Sequence, residues 1–136
     1  MTKTAHSFPL LKFALLADAV TSGAACLLFT LGANILADIL GLSADLLLYC
    51  GLFFLPWTAI LAYVGTRPTI NPRAVWPIII LNIVWTIDSF VLIATTEPTL
   101  LGTAFVAFQA VAVLGFAIAQ IMGIKRQKAE GHLQAA

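Results

Sequence analysis

The chain has 136 residues, 61% apolar and only 10% charged, with a mean hydropathy of +1.02 and a net charge of +1. Soluble domains carry about 25% charged residues, so this composition cannot cover a water-facing surface. It also lacks the basic stripe of a nucleic-acid-binding surface, and no nucleic-acid partner is expected.

Four apolar runs are long enough to cross the hydrocarbon, which takes roughly 20 residues of helix. The first runs over 9–31. Ser7 is placed to cap it, and Pro9 suits a first turn because its missing N–H would have no partner there. The stretch from Lys3 to Cys26 has the outline of a signal peptide. Asp18 interrupts its apolar part and Gly23 stands where a cleavage site wants a branched residue, so an uncleaved first span is expected. Asn34 to Gly41 reads either as an irregular loop or as a short amphipathic helix in the outer interface, with Ile35, Leu36, Ile39 and Leu40 on one face and Asp38 on another.

Ser43 caps a second span over 46–66, with Asp45 in its first turn and Pro56, a predicted kink, at its middle. Arg67 to Arg73 is a polar turn, and Asn71-Pro72 opens a third span over 74–95, with Trp76 as an interfacial anchor. A short loop, Thr96 to Thr99, leads to the fourth span over 100–124, and residues 125–136 are expected to form a polar tail. Residues 1–136 thus read as one all-α, four-transmembrane-helix domain.

The basic residues set its orientation. Lys3 and Lys12 precede or open the first span, Arg67 and Arg73 lie between the second and third, and Lys125, Arg126 and Lys128 follow the fourth. The other two connections hold only Asp38, Asp45 and Glu97. This is the positive-inside pattern, and it predicts both termini in the cytoplasm.

Polar residues within the spans are the candidate site. A charged Asp at a span centre costs about 2.5–3.5 kcal/mol on insertion scales, so such residues persist when paired, neutralised or used. Counting at ~1.5 Å per residue places Asp18 and Asn82 at one level, ~12 Å from the cytoplasmic side, and Asp88 and Gln109 at a second, ~21 Å deep. Asp18 is therefore predicted to meet Asn82, and Asp88 to meet Gln109. A protonated Asp is both donor and acceptor, which suits an amide. Trp57 and Trp85 fall near mid-depth and read as the walls of a packed interior or a cavity. Gln109 and Gln120, eleven residues apart, share a face of the fourth span, and Gly115, Ala119 and Gly123 form a small-residue stripe for close helix approach. Asp18, Val20 and Ser22 can be laid over Asn82, Val84 and Thr86, by chance or by an old duplication.

Other chemistry is missing. His6 and His132 lie outside the spans, so no metal or haem site is expected, and no cofactor. Cys26 and Cys50 are not spaced as a redox pair; free thiols are expected, although adjacent spans at similar depth leave a disulfide conceivable. No nucleophile elbow or phosphate loop occurs, and the chain is not expected to be an enzyme.

Four segments carry a resemblance: Leu16-Ala17-Asp18-Ala19-Val20-Thr21-Ser22-Gly23, Leu55-Pro56-Trp57, Leu81-Asn82-Ile83-Val84-Trp85 and Gln109-Ala110. With these the chain resembles a loose family of small four-span bacterial membrane proteins to which no activity is attached. The likeness implies a four-helix fold in a bacterial inner membrane. The chain is also similar to the small multidrug transporters in length, span number and an acidic residue in the first span, which would give Asp18 a proton-coupling role. It departs from them in having Asp rather than Glu, in lacking their third-span pattern and in its one-sided charge bias. Two functions follow as expectations. One is a non-enzymatic accessory or scaffold bundle, with the bilayer and another membrane subunit as partners and the Gly115 stripe as contact. The other is a proton-coupled transporter or channel, a homo-oligomer titrating at Asp18 and Asp88.

Overall fold

A computed structural model of the chain describes residues 9–135, with side chains through Gly131. The predicted Ser7 cap, Lys3, His6 and the side chain of His132 lie outside the described residues. Five helices make up the described chain: α1 Leu10–Leu31, α2 Ala33–Leu40, α3 Ala44–Gly65, α4 Pro72–Thr96 and α5 Leu100–Ala135. There is no strand among the described residues. All but α2 are long and apolar enough to cross a membrane. Their outward faces carry large apolar side chains, including Val20, Leu55, Ile87 and Phe108, as a bundle solvated by lipid requires.

Local signals set the helix ends. Ser43 Oγ accepts the Leu46 N–H at 3.3 Å, and Asn71 Oδ1 accepts the Arg73 N–H at 3.0 Å ahead of Pro72. Gly41 ends α2 in the left-handed region, φ +69°, where an added side chain would be strained. α3 continues through Pro56, whose missing N–H leaves the Leu52 carbonyl without a helical partner.

One boundary differs strongly from expectation. Residues 125–136, read as a polar tail, continue α5 as far as Ala135. Lys, Arg, Gln, Ala and Glu are good helix formers, so loss of hydrophobicity does not end a helix. Gln127 Nε2 also donates to Ile70 O at 2.8 Å and ties this extension to the α3–α4 loop.

The long helices pack as two antiparallel hairpins, α1 with α3 and α4 with α5. Glycines set the close approaches. A Cβ on Gly51 would lie 2.9 Å from Thr30 N, and one on Gly65 would lie 2.9 Å from a Leu16 methyl. The hairpins join where α5 crosses α1: a Cβ on Gly123 would lie 2.6 Å from Leu11 Cα. α3 and α4 approach each other little, with Phe53, Phe54, Trp57 and Trp85 filling the space between them.

This crossing divides the small-residue stripe. Gly123 is buried within the chain, Ala119 is half-buried, and Gly115 is exposed with nothing near its Cβ position. An i, i+4 stripe drifts around a helix by about 40° per step, so its two ends need not face the same neighbour.

The two ends of the bundle are chemically distinct. Lys12 Nζ reaches the Gly65 carbonyl at 2.8 Å, which places the start of α1 beside the Arg67 loop and the end of α5. At the other end Thr99 latches α2 to α5. Its N–H donates to Leu40 O at 3.1 Å, its Oγ1 donates to Ile39 O at 2.8 Å, and the same Oγ1 caps α5 by accepting the Gly102 N–H at 3.0 Å.

Candidate functional site

Asp18 sits inside the bundle and is only 3% exposed. Three helices supply its surroundings. Asn82 Nδ2 of α4 donates to Asp18 Oδ2 at 2.9 Å, and Gln120 Nε2 of α5 donates to the same oxygen at 3.0 Å. Asn82 Nδ2 also lies 3.2 Å from Gln120 Oε1, closing a three-residue ring. Oδ1 has only a long contact, 3.4 Å, from Ser22 Oγ one turn further along α1. One carboxyl oxygen is therefore saturated and the other keeps acceptor capacity. Thr86 supports the ring from below, donating to Asn82 O at 3.0 Å and lying 3.3 Å from Ala110 O of α5.

A second polar group lies farther from the basic end. Trp85 Nε1 donates to Gln109 Oε1 at 2.8 Å, and Gln109 Nε2 donates to Ser89 Oγ at 2.9 Å and Val106 O at 2.8 Å. The expected Asp88–Gln109 pair does not form. Asp88 is exposed, and Ser89 takes the inward position. Successive helical residues are 100° apart, so equal depth does not mean equal direction.

Two cavities flank this second group. The first, about 250 Å³, touches all four long helices and is lined by Asp18, Ser22, Asn82 and Gln109 among the aromatic rings of Phe29, Phe54, Trp57, Trp85 and Phe105. Thr21, Ala24, Leu28 and Phe108 on its border are exposed, so it opens sideways between α1 and α5. The second, about 300 Å³, has Cys50, Asp88 and Ser89 in its wall. Phe29, Trp85, Phe105 and Gln109 belong to both and form the partition between them. Phe53 lies near-parallel to Trp85, 8° between planes with ring centroids 6.5 Å apart, and Phe54 is tilted against it with centroids 5.1 Å apart, holding the indole in this partition.

The structure thus brings Asp18 and Asn82 together, sets Trp57 and Trp85 in a cavity wall, and separates Asp88 from Gln109. Gln120 and the Phe29–Phe54–Phe105 group were not singled out from the sequence for this site. The signal for Gln120 was its place on the same face as Gln109. Cys26 and Cys50 are free thiols, the first buried and the second half-buried. No protein family, curated protein or solved structure matches the chain.

Proposed function

We propose that this is a multi-pass protein of a bacterial inner membrane, with both termini cytoplasmic, that exchanges a proton for a small apolar molecule bearing one cationic group. The observation that carries this reading is Asp18: a carboxyl held by two amide donors on one oxygen, open on the other, at the wall of an aromatic cavity. Its hydrogen-bond partners are neutral, so an ionised Asp18 is balanced only by what enters the cavity: a proton or the ligand's cation. The aromatic walls add cation–π attraction of about 0.5–2 kcal/mol. Exchange of one proton for one monovalent cation leaves the site's charge unchanged. Asp88 lines the cavity beyond the Trp85–Gln109 partition. Four spans enclose little space, so the working unit is a homo-oligomer, without cofactor and without covalent chemistry.

The test is uptake of a fluorescent lipophilic ammonium dye into proteoliposomes under an imposed pH gradient. Asp18→Asn preserves size and the capacity to accept from Asn82 and Gln120, but removes the charge. Uptake should fall at least about tenfold, as expected for loss of one 1.4 kcal/mol contact. Undiminished uptake by Asp18→Asn removes the exchange mechanism.

A second reading, an accessory subunit acting through helix packing, is favoured by the exposed, unfilled backbone at Gly115. It predicts that Gly115→Phe releases a membrane subunit that co-purifies with the wild type in mild detergent. A complex that survives this substitution would leave the reading without its surface.

A further inference from the structure

A hollow of about 290 Å³ lies at the basic end, between the start of α1, the α3–α4 loop and the last turns of α5. It is distinct from the Asp18 cavity. Pro9, Lys12, Arg67, Ile70, Gln127 and Glu130 border it. Lys12 and Arg67, 55 residues apart, are brought side by side, with Lys12 Nζ 3.4 Å from Arg67 O. Each is fixed by groups that leave its charge unneutralised. Lys12 donates to the Gly65 carbonyl, while Arg67 Nε donates to Tyr63 O at 3.1 Å with its guanidinium carbon 4.3 Å above the Tyr63 ring. Lys12 keeps a further N–H, and Arg67 keeps the fork of its two terminal nitrogens. That fork matches phosphate oxygens.

The border's charge and position narrow the ligand. Lys12 and Arg67 against Glu130 leave one net positive charge. A phosphodiester carries one negative charge, whereas a phosphate monoester carries about −1.5 to −2 at pH 7. The hollow lies where α3 ends at Gly65 and α4 begins at Pro72. In a four-span protein this is the level of the lipid headgroups, and basic pockets there bind anionic lipid. We propose that this hollow is a headgroup site for an anionic phospholipid, its phosphodiester between Lys12 and Arg67 and its headgroup hydroxyls donating to Glu130. The site rests on the membrane reading of the chain and not on the exchange mechanism, so either can fail alone.

The test is the thermal midpoint of the full chain in detergent, followed by tryptophan fluorescence, with phosphatidylglycerol, phosphatidylcholine or inorganic phosphate added. Phosphatidylglycerol should raise the midpoint and phosphatidylcholine should not. Arg67→Gln should weaken half-saturation about tenfold or more, the effect of one lost charged contact, while Arg126→Gln, whose side chain does not border the hollow, keeps the wild-type response. Lys12→Gln also removes a contact that fastens α1 to α3, so Arg67→Gln decides the matter if that variant fails to fold. An equal response to phosphatidylcholine, or equal losses in the Arg67 and Arg126 variants, overturns the site. Inorganic phosphate that reproduces the shift and displaces the lipid overturns the lipid as its source.

Discussion

Gly102→Leu will unseat α2 from the head of α5 and destabilise the bundle by about 3–5 kcal/mol. A Cβ at Gly102 runs into the carbonyl oxygen of Leu40, which is backbone and cannot swing aside. Overpacking of this kind costs about 1–3 kcal/mol. Relief requires α2 to lift, which also breaks the two bonds from Thr99 to Leu40 and Ile39, each worth about 1 kcal/mol. The measurement is the unfolding midpoint in mixed micelles of mild detergent and dodecyl sulfate. Gly115→Leu is the control: nothing lies within 4 Å of that Cβ position, and its change should stay within about 0.5 kcal/mol. Equal effects of the two substitutions would contradict the close α2–α5 contact.

Asp18→Leu will be the second large loss, and its size separates two views of the polar ring. It strips the acceptor from Asn82 Nδ2 and Gln120 Nε2. Measured interhelical bonds in membranes average about 0.6 kcal/mol, so the loss should exceed about 1 kcal/mol. Gln120 Nε2, left without an acceptor, adds about 1–3 kcal/mol, while Asn82 Nδ2 keeps only its 3.2 Å bond to Gln120 Oε1. Replacing Asp18, Asn82 and Gln120 together by Leu removes donors and acceptor at once and should recover wild-type stability within about 1 kcal/mol. A stable triple variant that no longer takes up the ammonium dye would assign the ring to function. If Asp18→Leu alone is as stable as the wild type, the ring holds nothing together.

The long helices are legible in the sequence because apolar length and caps are written residue by residue. Ser43, Asn71 and Gly41 act where their chemistry predicts. The Asp18–Asn82 contact was legible because a straight helix converts residue count into depth. The contact of Gln120 with Asp18 is not legible in the same way. The sequence places Gln120 only on a face shared with Gln109, and because α5 continues past Ile124 to Ala135 its level relative to Asp18 has no fixed origin. Asp88 and Gln109 show the other limit. Their levels agree, yet Ser89 faces inward, where Gln109 donates to it, and Asp88 does not, because equal depth says nothing of rotation about the helix axis. Cavities are less legible still: they depend on where rings from four helices fail to fill space, and no local pattern records that.

Asp18 is bonded to residues synthesised 64 and 102 positions later. At about 5–20 residues per second, its last partner emerges roughly 5–20 s after it. Until Asn82 is made the nascent first hairpin holds an acid in the bilayer with neither amide in place, and until Gln120 is made it has only one. The ring of Asp18, Asn82 and Gln120 therefore closes only when the fourth long helix has been made, which makes it a late event of assembly.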